Sequence, residues 1–157
     1  ASGPIDAIAY DVSADGSVVV GQGAVESSSS VTGFVSEAFR WTEATGMQGL
    51  GFLGDGYVSS SANEVSPDGV LVFGTTSWDY GTDVFVWDAR SGMRPLVAVL
   101  ANEHGLDLTG WSLTRVTGVS ADRRTIVGNA TLRIVLSSPM ITRLRESTAS
   151  VFQRRAY

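Results

Sequence analysis

The chain of 157 residues contains no cysteine and no lysine, and it has a single histidine. The absence of cysteine excludes a disulfide framework, a thiolate metal site and a thiol nucleophile, but it leaves the compartment open. No apolar run reaches the roughly 18 residues that a membrane-spanning helix needs, so no membrane span is expected. No signal peptide pattern is visible at the N-terminus either.

Charge is also scarce, since only 17% of the residues are charged and the net charge is −5. Residues 1–130 carry six arginines and fifteen acidic residues, whereas residues 131–157 carry five arginines and one glutamate. Binding to phosphate groups needs clustered positive charge, so the acidic body argues against nucleic acid as a partner. The basic tail is typical of a solvated charged end more than of a binding site for an acidic surface.

What the chain does contain is a stretch that occurs three times, at Asp11–Gly21, Glu64–Gly74 and Gly118–Gly128. Each copy reads as a strand, a tight turn and a second, β-branched strand. Aspartate and glycine form such turns because aspartate bonds to its local backbone and glycine accepts positive φ. Arg123 replaces the glycine in the third copy, so we expect that turn to change type or to be slightly strained.

An aromatic pattern repeats after each of the first two turn copies. Phe39 and Trp41 reappear 46 residues later as Phe85 and Trp87. Alternation along Glu37–Thr42 places Ala38 and Arg40 on one face and the two aromatic residues on the other. Because the aromatic residues are periodic, we interpret all four as core residues that hold adjacent copies together.

The repeats define the expected organisation of a single domain. We place repeat 1 at about 5–53, repeat 2 at about 57–100, a partial repeat 3 at about 111–130 and a divergent basic tail at 131–157. A short helix is predicted near 95–104, because proline suits its first turn and Gly105 its C-terminal end. In the tail, residues 132–136 and 140–144 are predicted strands; the tail is either a divergent closing strand pair or the product of a frameshift.

The predicted fold class is all-β, with repeated four-stranded antiparallel sheets in a β-propeller-like arrangement, either a partial propeller or an open sandwich. A repeat of roughly 45 residues with four short strands has the size of one propeller blade. Two units and a partial third fall short of the about four blades that a closed ring needs. We therefore expect a homo-oligomer, further repeats that complete the propeller, or an open sandwich. The chain begins nearly inside a repeat, which indicates a processed form or a fragment.

The combined motif resembles the extracellular HAF repeat, which is named for a His-Ala-Phe signature. The resemblance covers about residues 5–130 and rests on the Asp-Gly turns, the Glu-Ala-Phe-Arg-Trp-Thr run at 37–42 and the Gly-Met-Gln-Gly-Leu-Gly run at 46–51. Glu37-Ala38-Phe39 and Asp83-Val84-Phe85 occupy the signature position, and both lack the histidine. Leu106–Trp111 with the third turn looks like the last repeat of such arrays. The resemblance implies a bacterial exported repeat protein, since such repeats occur in exported proteins that include some autotransporter passengers. It implies no catalytic activity.

The best candidate recognition patch is Trp78-Asp79-Tyr80, which lies in an inter-strand loop and has no aromatic counterpart in the first repeat. Loops carry function more often than the scaffold does. We expect this patch to bind a surface glycan or a protein ligand.

Other chemistry is weaker in the sequence. The turn aspartates Asp15, Asp68 and Asp122 permit a calcium interpretation, but each turn offers too few oxygens, so plain turn formation is favoured. No motif supplies His104 with the nucleophile and the orienting carboxylate that a catalytic histidine needs, so a structural or solvated role is favoured. Asp79 and Asp83 could be a glycosidase pair only if their separation were suitable. We expect no catalytic residue, no metal and no cofactor.

The sequence therefore predicts a non-enzymatic module at the cell surface or outside the cell that acts in binding or adhesion. Two alternatives stay open, a carbohydrate-active, sialidase-like propeller enzyme and a purely structural spacer.

Overall fold

A computed structural model describes residues 6–28 and 30–132 together with the backbone of the strand at 148–153. These residues form strands and one short helix, in the order β1 (Ala7–Val12), β2 (Val18–Glu26), β3 (Phe34–Thr42), β4 (Gly46–Gly51), β5 (Ser59–Val65), β6 (Val72–Trp78), β7 (Gly81–Asp88), β8 (Gly92–Pro95), α1 (Leu96–Asn102), β9 (Trp111–Val119), β10 (Thr125–Leu132) and β11 (Thr148–Gln153). No helix in the described part of the chain is long and apolar enough to cross a membrane.

The strands form three antiparallel sheets in which neighbours in sequence are neighbours in space. Sheet 1 has the order β1-β2-β3-β4, sheet 2 the order β5-β6-β7-β8, and sheet 3 the order β9-β10-β11. The described strands do not close into a barrel or a ring. The prediction of a mostly β chain with repeated antiparallel sheets and one short helix is confirmed.

The helix begins directly after β8, and its bounds agree with the sequence prediction. Pro95 lies at the N-cap with φ −60°, and no side chain caps the first turn. At the other end Gly105 adopts φ +66° and donates its N–H to the carbonyl of Ala101. Proline at the start and glycine past the end therefore delimit this helix, as their backbone preferences dictate.

Sheet 2 is the centre of the molecule, because both of its faces are buried. Alternating residues of β6 and β7 point to opposite sides. One hydrophobic cluster lies between sheets 1 and 2 and contains Val18, Val20, Ala38, Ala62, Val65, Val72 and Phe85. The other lies between sheet 2, α1 and sheet 3 and contains Phe73, Val84, Val86, Leu96, Leu100, Leu113, Val116 and Ala130.

The Gly/Ser-rich segment at 21–33, whose composition predicts an exposed loop, is a strand in its first half. β2 continues to Glu26, and β3 already begins at Phe34, so only the tip of this hairpin is a loop. Pairing to strands on both sides overrides the weak strand preference of glycine. Gly21 is even required, since a Cβ there would lie 2.0 Å from the carbonyl oxygen of Ile8 in β1.

The aromatic prediction is confirmed for the two side chains of repeat 2 and only in part for those of repeat 1. Phe85 is fully buried, and the half-buried Trp87 packs against the same cluster between sheets 1 and 2. Phe39 is 4% exposed but belongs to neither cluster. Trp41 is half-buried and also belongs to neither cluster, so the prediction that it joins adjacent copies is wrong within the described residues. The reason is that Phe39 and Trp41 lie on the side of sheet 1 that faces away from sheet 2.

The tail also differs from expectation, because β11 lies within it and was not predicted. β11 pairs antiparallel with β10, with the backbone of residue 152 opposite Ile126. It is thus the partner strand that repeat 3 lacked, placed farther along the chain than the motif spacing suggested. The strands predicted at 132–136 and 140–144 lie outside the described residues except for residue 132, the last residue of β10.

Candidate functional site

The predicted recognition patch lies at the tip of the β6–β7 hairpin. Trp78 is the last residue of β6 and pairs with Gly81, the first residue of β7, so Asp79 and Tyr80 form a two-residue turn. The expected inter-strand loop is therefore a two-residue turn, and Trp78 itself belongs to β6. Trp78 is 41% exposed and Tyr80 is 87% exposed.

The two rings at the tip contact each other edge to face. Their centroids are 5.7 Å apart and the ring planes are inclined by 70°, which is a favoured aromatic geometry. Gly81 leaves room for the indole, because a Cβ at that position would lie 3.2 Å from ring atoms of Trp78. The result is an exposed aromatic surface with the exposed carboxylate of Asp79 between the rings in sequence.

Polar contacts support the base of this hairpin. The hydroxyl of Tyr57 donates to Oδ2 of Asp83 at 2.6 Å, and this hydrogen bond is the main cause that raises the pKa of Tyr57. The hydroxyls of Ser77 and Thr82 are 3.1 Å apart. Asp83 is thus bonded to Tyr57 at the base of the hairpin, whereas Asp79 lies at the tip.

The same hydrogen-bond pattern occurs at each of the three turn aspartates. In each copy a serine hydroxyl donates to the aspartate two residues later, at 2.7 Å for Ser13 and Asp15, and accepts the backbone N–H five residues later. The other pairs, at 2.6 Å each, are Ser66 with Asp68 and Ser120 with Asp122. Plain turn formation therefore accounts for these carboxylates. Among the described residues, no group of three or more metal-ligating side chains could hold a metal ion.

Arg123 keeps the third turn in the same form as the other two. It adopts φ +59°, the left-handed conformation that Gly16 and Gly69 have in the first two copies. Its guanidinium lies 3.2 Å from Oδ2 of Asp68 in the preceding turn. Of the two outcomes expected for this turn, strain is the one observed, since arginine occupies a conformation that favours glycine.

The turn network predicts a measurable acid sensitivity. Hydrogen bonds from the backbone of Ser17 and from the hydroxyls of Ser13 and Ser17 lower the pKa of Asp15 from 3.8 to about 2. Because the folded-state pKa is depressed, the stabilisation is present above pH 3.8 and is lost as the pH falls towards 2. Carboxyl-detected NMR titration should give the low value, and Ser13→Ala should raise it. A midpoint near 3.8 in the unsubstituted protein would contradict the network.

A cleft beside α1 is a feature that sequence reasoning missed. It has a volume of about 280 Å³ and an apolar floor that includes Phe73, Leu96, Leu100 and Ile126. Polar groups at its rim are Arg94, Glu103, His104, Asp122, Arg123 and Arg124. Its residues come from sheet 2, the helix, the third turn and β10, so no spacing along the sequence marks it.

Arg94, at the rim of the cleft, forms two ion pairs. Arg94 contacts Asp88 at 3.0 Å and Glu103 at 2.6 Å, and it thereby joins β7 and β8 to the end of α1. His104 is half-buried at the same end.

Comparison of the chain with protein-family models, with curated proteins and with solved structures finds no match. The resemblance to the HAF repeat therefore stays a prediction that rests on its motifs alone.

Proposed function

We propose that this protein is a binding module that presents the Trp78-Asp79-Tyr80 hairpin tip to a glycan at the cell surface or outside the cell. The observation that carries the proposal is the pair of adjacent exposed aromatic rings on a two-residue turn. Exposed large aromatic side chains are costly to leave in water, and at such a place they are typical of an interaction site.

The support beneath the tip favours binding, because it holds the rings in place. β6 and β7 belong to sheet 2, whose two faces are covered by sheets 1 and 3. Side chains such as Phe73 and Phe85 anchor these strands at 0% exposure. A rigid scaffold lowers the entropy that ordering of the site would cost on binding.

The chemistry of the tip favours a sugar over a purely apolar ligand. A pyranose ring has one face of C–H groups that can pack on an aromatic ring, while its hydroxyls point outwards. The exposed carboxylate of Asp79 accepts hydrogen bonds from such hydroxyls. The protein ligand considered above would use the same rings, and competition by free sugar distinguishes the two.

The wider context that we propose is that of the HAF repeat, an exported, propeller-like array with no catalytic activity of its own. The three antiparallel sheets in succession are compatible with part of such an array.

The experiment is a glycan array probed with the chain and with the variant Trp78→Ala. We expect binding to selected glycans, and a loss of about tenfold or more in affinity in the variant, as for a central aromatic anchor. The free energy of unfolding should change by less than about 1 kcal/mol, because Trp78 is partly exposed.

The matched control is Tyr10→Ala, which removes another exposed aromatic side chain far from the tip in sequence. It should leave glycan affinity unchanged. Equal affinity of Trp78→Ala and the unsubstituted chain would contradict the proposed site. Binding to no glycan would favour the structural spacer, and hydrolysis of a bound glycan would favour the enzyme.

A further inference from the structure

One row of side chains crosses sheet 2 and forms much of its interface with sheet 1. The strand register places Val65 opposite Val72, Val72 opposite Trp87, and Trp87 opposite Met93. Residues paired in this way point to the same face of a sheet. All four belong to the cluster between sheets 1 and 2, and Val65 and Val72 are 4% and 0% exposed.

The same row exists in sheet 1, at equivalent places in the repeat. Val12 lies opposite Val19, Val19 opposite Trp41, and Trp41 opposite Met47. Here the row faces away from sheet 2, because Val18, Val20 and Ala38 occupy the side that packs on sheet 2. Its ends are open to solvent, with Val12 52% and Met47 39% exposed.

The row in sheet 2 meets a surface of small apolar side chains. On the facing side of sheet 1 these are Val18, Val20 and Ala38, and hydrogen bonds between the sheets accompany them. The carboxylate of Asp11 accepts the N–H of Val65 at 2.8 Å, and the carbonyl of Pro67 accepts the N–H of Ala14 at 2.9 Å. Apolar packing and backbone pairing together define how one sheet is stacked on the next.

Sheet 3 repeats this arrangement with the same direction along the chain. Val119 lies opposite Ile126 in the register position of Val65 and Val72, and both side chains pack against the cluster shared with sheet 2. The rows of sheets 2 and 3 thus each contact the sheet that precedes them. Among the described residues no sheet covers the row of sheet 1.

We propose that the Val12–Val19–Trp41–Met47 row of sheet 1 is the docking surface for one further antiparallel sheet of the same repeat, placed before sheet 1 in the array. The inner face of that sheet would carry small apolar residues like Val18, Val20 and Ala38. The inference continues an interface that the molecule already contains twice, and it is independent of the hairpin tip.

A second copy of the chain is a poorer occupant than a preceding repeat. The apolar faces of sheets 1 and 2 that pack on the following sheet are already covered within each copy. In sheet 3, β9 exposes Ser112, Thr114 and Thr117, while Leu113 and Val116 point to the core. Along β9, the remaining face therefore offers polar side chains to a neighbouring molecule and does not match the row.

The test uses the absence of cysteine, which makes any introduced thiol unique. Val12→Cys is prepared in the full chain and in an extended protein that carries an additional copy of residues 6–58 joined directly before Asp6. This junction reproduces the native connection between β4 and β5. We expect the thiol to react with maleimide roughly tenfold more slowly in the extended protein, because the added sheet covers it.

Two matched variants calibrate the rates. Val65→Cys, at 4% exposure, should react slowly in both proteins, and Val70→Cys, at 45% exposure, should react rapidly in both. An added sheet that stays unfolded, or that folds without protecting Val12→Cys, would overturn the proposal. Protection of Val12→Cys in the unextended chain, together with a dimeric mass in solution, would assign the face to a second copy and would also overturn it.

Discussion

Replacing Phe85 by alanine should lower the free energy of unfolding by about 3–5 kcal/mol, the range found for large aromatic side chains removed from a core. Phe85 is 0% exposed and packs in the cluster between sheets 1 and 2. Its removal leaves a cavity that β-sheets on both sides cannot readily close. Such a cost is a large fraction of the roughly 5–15 kcal/mol that stabilise a typical domain. Urea denaturation followed by circular dichroism measures it.

The matched control for this experiment is Phe34→Ala. Phe34 is the first residue of β3 and is 41% exposed, so the same substitution should cost less than about 1 kcal/mol there. If Phe85→Ala cost no more than Phe34→Ala, the cluster between sheets 1 and 2 would not be the core that the structure describes.

Gly74→Ala is expected to be the second severe substitution, although it adds only one methyl group. The new Cβ would lie 2.0 Å from the carbonyl oxygen of Ser61 and 2.6 Å from the ring of Phe85. Because Ser61 contributes backbone and Phe85 is fully buried, neither can move away freely. We expect a loss of about 3 kcal/mol or more, at the upper end of overpacking effects. Thermal and urea denaturation of the variant measure the loss.

Two other glycines make the comparison specific. Gly21→Ala meets the equivalent obstacle, the carbonyl of Ile8 and the ring of Phe39, but Ile8 is 50% exposed on an edge strand that can shift. Gly54→Ala meets no atom within 4 Å and should change stability by less than about 0.5 kcal/mol. The expected order of destabilisation is therefore Gly74, Gly21, Gly54, and a Gly74→Ala variant as stable as Gly54→Ala would refute the proposed contact.

In each of the first two repeats a phenylalanine lies opposite one of these glycines. Gly21 pairs with Phe39 and Gly74 pairs with Phe85 across neighbouring strands. Each ring lies over the backbone that the missing side chain leaves open, which restores packing at a residue with weak strand preference. The pair is thus one structural unit, and either partner is costly to change alone.

Local chemistry accounts for the parts of the fold that could be predicted. The serine-aspartate turns form because their hydrogen bonds join residues two to five positions apart, as in Ser13, Asp15 and Val18. The helix bounds follow from Pro95 and Gly105, and the two faces of β3 follow from alternation. The exposed aromatic patch was found because Trp78 and Tyr80 break the repeat pattern.

The failures have a different origin, since they depend on residues far apart in the chain. The segment at 21–26 is a strand because it pairs on both sides, and β11 was hidden by the long interval before it. The cleft beside α1 is assembled from segments with no common motif. The cleft exists only where these segments meet in space.

Trp41 and Trp87 show most clearly which properties depend on the local sequence and which depend on tertiary packing. They lie at matching positions of two repeats and pair with equivalent valine and methionine residues. The sequence by itself determined the turns, the repeat and the side of the strand on which each tryptophan lies, because these depend on near neighbours. Only the stacking of the sheets decided that Trp87 is packed between two of them while Trp41 faces outwards, since burial depends on what the rest of the chain places on that side.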